Sequence, residues 1–96
     1  MERYFEWDDR KAASNYFKHG VRFEEAALVF ADPFSVSVQD RIVDGEERWQ
    51  TIGMVGGSLL LLVAHTVRLA DDGIEVVRII SARRADRKER KGYEHG

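Results

Sequence analysis

One proline divides this chain. Up to Pro33 the apolar residues recur at helical spacing; beyond it they alternate with polar ones. The residue before a proline is driven out of the helical region, so the first half cannot run on into the second as helix. Phe34, Val36 and Val38 alternate with Ser35, Ser37 and Gln39, the period of a half-buried strand. The chain is thus helical first and sheet-forming afterwards, which places it among α+β folds.

The local signals fill in the order. Tyr4–Trp7 reads as a short strand, and Asp8 or Asp9 as the N-cap of a helix running to about Lys18. Ala12, Ala13, Tyr16 and Phe17 share its apolar side, and Gly20 suits a left-handed C-terminal cap. A second helix is expected from about Glu24 to Phe30, with two glutamates at its N-terminus. Asp40 to Gly45 reads as a turn, Glu47–Ile52 as a strand, and Gly53, Gly56, Gly57 and Ser58 as the next turn. Leu59–Thr66 is apolar on both faces and is expected at the sheet centre. Asp71–Asp72–Gly73 predicts a hairpin to a strand Ile74–Ser81, and Arg84–Tyr93 a charged last helix. The expected order is β-α-α-β-β-β-β-α, in a single domain over residues 1–96. Phe5, Trp7, Phe17, Phe23 and Phe30 are assigned to its core; Trp49, on an alternating strand, can stack a base or bury against a partner.

With 96 residues and no cysteine, disulfides, a thiolate zinc site and a cysteine nucleophile are excluded. The three histidines lie far apart in sequence, so no metal and no cofactor is expected. The longest apolar run, Leu59–Ala64, is far short of a membrane span of ~20 residues. A charged N-terminus without a signal-like apolar stretch leads to the expectation of a cytoplasmic protein with no membrane association. The formal net charge of −2 is unevenly spread. Residues 1–32 sum to −2, residues 33–77 to −4 and residues 78–96 to +4. A local basic segment can attract nucleic acid or an acidic partner although the whole is slightly acidic. Strand alternation would put Val77, Ile79 and Ser81 on one face and Arg78, Ile80 and Ala82 on the other. Arg48 and Arg78 can then meet on an open sheet face, where their planar donor forks suit a phosphate or pair with neighbouring glutamates.

Several segments, taken together, resemble one family. They include Phe5–Asp8, Lys11–Asn15, Lys18–His19–Gly20–Val21, Phe23–Ala26, Val29–Pro33, Gly45–Arg48, Thr51–Gly53 and Arg78–Ala85, followed by Glu89–Arg90 and Tyr93. The chain resembles the BrnT family of type II toxins from Phe5 to Tyr93. That resemblance implies a RelE-like α+β fold, ribonuclease activity that stops translation, and a BrnA antitoxin partner. It also implies that operator DNA is met only indirectly, through the antitoxin, with the toxin as corepressor.

RNA cleavage without a metal uses the neighbouring 2′-hydroxyl as nucleophile. One group takes its proton, another protonates the leaving 5′-oxygen, and cations stabilise the added charge on phosphorus. Lys11, Lys18, His19, His65, Glu89 and Tyr93 are the possible acid or base groups, and Arg48, Arg78, Arg83 and Arg84 the phosphate binders. The expected catalytic set is Lys18, His19, Arg48 and Arg78, and the expected RNA-binding set is Ser81, Arg83, Arg84 and His65. Each has a plainer role too. Lys18 and His19 sit where cations relieve a helix C-terminus, His65 ends an apolar strand, and Glu89 and Tyr93 share one helical face. Arg83 and Arg84 are expected to open the last helix, the unfavourable end for cations. The alternative function is a non-catalytic module that regulates a DNA-binding partner.

Overall fold

A computed structural model describes residues 2–96. Strand β1 (Arg3–Glu6) leads into helix α1 (Asp9–His19), then α2 (Phe23–Ala27), which tightens into a 3-10 turn at Leu28–Ala31. Strands β2 (Val36–Val43), β3 (Glu46–Val55), β4 (Leu59–Leu69) and β5 (Glu75–Arg84) follow, and α3 (Arg87–His95) closes the chain. The sheet order is β1-β5-β4-β3-β2. Successive strands β2 to β5 are antiparallel, while β1 adds in parallel on the outer side of β5. The apolar β4 is the central strand, as its two-faced hydrophobicity predicts.

Local chemistry sets the boundaries. The Asp8 carboxylate accepts from the Lys11 N–H at 3.0 Å, and Gly20 ends α1 at a φ of +68°. The Glu25 carboxylate accepts from the Arg22 N–H and starts α2. Asp32 stops the helical half by accepting from the Phe34 and Met54 N–H groups. One layer of helix then covers one face of the sheet. Val21, Phe23, Ala26 and Val29 meet Leu61, Val63, Val77, Ile79 and Ala82, all buried. Each large member contributes ~1.5–3 kcal/mol by leaving water.

Five expectations need correction. Asp40–Gly45 is not one turn. β2 runs through to Val43 with a bulge at Asp40, and only Asp44 and Gly45, both at positive φ, make the turn. Gly53 lies inside β3, opposite Leu61. A Cβ there would stand 2.7 Å from Val29 Cγ1 and 2.9 Å from the Val29 carbonyl oxygen. Its bare backbone is what lets the 3-10 turn settle on the strand. Arg83 and Arg84 end β5 and do not open the last helix, because Asp86 and Glu89 form a reciprocal capping box that starts α3 at Arg87. Phe17 is 92% exposed: α1 turns Ala12 and Asn15 inward, which sends Phe17 to solvent.

The fifth correction concerns β5. Ala64 pairs with Ser81 but His65 pairs with Ile79, so Ile80 is an extra, bulged residue. The bulge reverses the alternation beyond it. Ser81 shares the face of Arg78, and Ala82 shares the core face with Ile79.

Gly53→Ala is expected to destabilise the fold by about 1–3 kcal/mol, the cost of overpacking a tight site. The midpoint of urea unfolding would fall at unchanged slope; an unchanged midpoint would show that the turn does not bear on this strand.

Candidate functional site

β1 pairs with β5 only from Glu75 to Arg78. Beyond that point, among the described residues, β5 has no strand beside it on its outer side, and α1 takes the place. Asn15, buried, accepts from the Ala82 N–H at 3.0 Å and donates to the Ala82 carbonyl at 2.8 Å. Its amide also donates to the Val21 carbonyl at 3.1 Å. A side-chain amide thus pairs with the free edge much as another strand would. Lys11, Ser14 and Lys18 lie on the same stripe of α1 as Asn15, at spacings of three and four. With His19, Ile80 and Ser81 they line a cavity of about 230 Å³. The expected Lys18, His19 and Ser81 are therefore brought together, and the bulge at Ile80 is what presents Ser81 there. Lys11 joins them. Its spacing to Lys18 marks the polar stripe, a signal present in the sequence.

The other catalytic candidates stand on the adjoining sheet face. Arg78 pairs with Thr66, and Trp49 pairs with His65, so Arg48 stands level with Thr66 on the next strand. Arg48 and Arg78 share the face with Thr66 between them, ~10 Å apart at the usual strand spacing. Arg68 is on the same face. Arg68 and Arg78 both reach Glu6, at 3.6 and 3.7 Å, so one carboxylate serves two guanidinium groups. Arg48 lies 3.9 Å from Glu46, and its Nε is buried with no hydrogen-bond partner. The face is locally positive and has donors to spare.

Three further candidates, Arg83, Glu89 and Tyr93, are engaged in contacts that hold α3. Arg83 makes a bidentate pair with Glu89, both contacts at 2.9 Å. That bond holds Glu89 below the usual carboxylate range and Arg83 above its ordinary value. Tyr93 donates its hydroxyl to Asp32, which raises the phenol pKa. Burial pushes the Asp32 carboxyl up, but hydrogen bonds from Tyr93, Met54 and Phe34 outweigh it and leave the group lowered. Glu89 and Tyr93 thus anchor α3. Arg84 ends β5 and lines neither this cavity nor the one around His65.

His65 is on the opposite, helix-side face and is 2% exposed. Its Nε2 lies 2.7 Å from the Thr51 hydroxyl, itself 2.7 Å from Ser37 Oγ, and the Phe30 ring meets it edge-on. Burial lowers its pKa to about 4, only partly offset by the Thr66 backbone. The imidazole is neutral at physiological pH and forms the floor of a separate cavity, with Trp49 in the wall.

The sequence matches the family model described as ribonuclease toxin, BrnT, of type II toxin-antitoxin system, over residues 7–89. No curated protein matches it. Among solved structures it is similar to the Brucella abortus ribonuclease toxin BrnT, at 21% identity. The likeness covers 91% of this chain and 100% of that one, with a TM-score of 0.65. At that identity it establishes the shared fold: a five-stranded, mostly antiparallel sheet with three helices.

The folded state holds His65 unprotonated while the unfolded chain protonates it near pH 6.5. Its contribution to stability is therefore whole above pH 6.5 and lost as pH falls toward 4, by roughly 3 kcal/mol at most. Urea unfolding at pH 7 and 4.5 is expected to show the loss, and His65→Gln to flatten it. A ring proton of His65 titrating above pH 6 by NMR would contradict the burial.

Proposed function

Because this chain belongs to the BrnT family of ribonuclease toxins of type II toxin-antitoxin systems, we propose that it is a metal-independent ribonuclease, of RelE-like type, whose site is the cavity on the free edge of β5. The observation that carries this is the gathering of Lys11, Lys18, His19 and Ser81 beside a face bearing Arg48, Arg68 and Arg78.

RNA lies with its phosphates along the arginine face, and the scissile phosphate enters the cavity. The 2′-oxygen attacks phosphorus and the bond to the 5′-oxygen breaks, leaving a 2′,3′-cyclic phosphate and a free 5′-hydroxyl. His19 takes the proton from the 2′-hydroxyl and delivers it to the leaving 5′-oxygen. Lys11 and Lys18 stabilise the charge that grows on the phosphoryl oxygens, and the Ser81 hydroxyl donates to one of them. Arg78, the last residue of β5 paired with β1, holds the neighbouring phosphate. Cleavage in the cytoplasm halts translation, and a BrnA-like antitoxin neutralises it, as membership of a type II system implies. The same antitoxin carries the operator-DNA contact.

Purified chain incubated with a labelled single-stranded RNA is expected to yield cyclic-phosphate ends, and a 2′-deoxy substitution at the cleaved position to stop it. His19→Ala should lower the rate about 10²-fold or more, the contribution of a general acid–base group. Arg84→Ala should leave it within twofold or so, as expected of an exposed group outside the cavity. Unchanged cleavage in His19→Ala and Lys18→Ala would move the site elsewhere. No cleavage by the folded wild type would favour a regulatory module without activity.

A further inference from the structure

The cavity over His65, about 420 Å³, opens on the helix-side face where the helices do not reach, at the end of the sheet away from Ser81. Its walls are Phe30 and Trp49, its floor is His65, and its rim carries Arg3, Glu47 and Glu75. We infer that this cavity takes an arginine side chain carried by a protein partner.

Charge selects a cation. Arg3 is already paired with Glu75. Glu47 forms no ion pair among the described residues, so the rim keeps one unspent carboxylate. The turns after β2 and β4 lie at this same end and add Asp44, Asp71 and Asp72. Strand alternation sends Arg48, Arg68 and Arg78 to the other face, so among the described residues no free cation offsets the rim. A phosphate backbone is repelled here, while a guanidinium is drawn in.

Shape selects arginine. Arg3 already lies over the Phe30 ring, 5.5 Å from its centroid, which leaves the Trp49 ring for a planar guanidinium to lie against while it donates in a fork to Glu47. That the partner is the antitoxin rests on the toxin reading above; the preference for a cation does not.

The test is an NMR titration of the labelled full chain with acetyl-Gly-Arg-Gly-amide at low salt, following the Trp49 indole N–H. A saturable shift is expected, weakened up to about fivefold by Glu47→Gln, as for a rim-exposed ion pair. Acetyl-Gly-Lys-Gly-amide should bind more weakly, and guanosine monophosphate should leave the signal unmoved. Absence of a saturable shift with the arginine peptide would overturn the inference. So would an undiminished shift in Glu47→Gln, or lysine binding as well as arginine. A stronger response to the nucleotide would make the cavity a base pocket instead. The readout involves no RNA cleavage, so its failure and that of the nuclease reading are separate results.

Discussion

The pairing of the Asn15 amide with the Ala82 backbone is the contact on which the arrangement depends. β5 outruns β1, and a strand edge left beside a helix would bury a donor and an acceptor without partners, at ~1–3 kcal/mol for each. Asn15 satisfies both and, by bonding to the Val21 carbonyl, also ties down the link between α1 and α2. It thereby fixes the rotation of α1. Ala12 goes to the core, Phe17 goes to solvent, and Lys11 and Lys18 are left facing the edge. A cavity with two lysines is the geometric consequence of one amide.

The bulge at Ile80 works on the sheet as Asn15 works on the helix. Without it, Ser81 would follow Ile79 into the core face and Ala82 would turn outward. With it, small Ala82 sits under Asn15 and the Ser81 hydroxyl joins the arginine face. The pleat separates charge as well. In the lower half of the sheet the two sides differ by one residue of register, Arg48 against Glu47. A chain of net charge −2 can therefore present one cationic and one anionic face without a basic domain.

The order of elements was legible because each carries its own local signal. The Pro33 break, Gly20 and the Asp71–Gly73 turn all read correctly; the alternation after Phe34 marks a strand, but β2 begins at Val36 and leaves Val36 and Val38 exposed, not half-buried. What the sequence withheld depends on contacts distant along the chain. Gly53 looks like a turn residue until Val29, 24 positions earlier, is seen to press on it. Simple alternation puts Ser81 on the wrong face because the bulge at Ile80 has no one-dimensional signature. Arg83 and Glu89 read as candidate chemistry, and in the fold they pair with each other across six residues of sequence. The sequence puts Lys18 and His19 in one expected set and Ser81 in another; that the three converge follows from α1 lying along β5.

The two internal histidines show how environment divides labour within one residue type. His65 is enclosed by Phe30 and held to Thr51, and the Thr51 hydroxyl is in turn held to Ser37 on the next strand. That chain of polar contacts crosses three strands and satisfies one side of the ring, while burial keeps the proton off it. Such a histidine is unavailable for proton transfer to a substrate on the other face. His19 is exposed at the end of α1, on a cavity lined with lysines. If the chain cuts RNA at this edge, the proton transfer falls to His19 by position. His65 is left to shape a pocket in which a neutral ring and a free carboxylate favour a visiting cation.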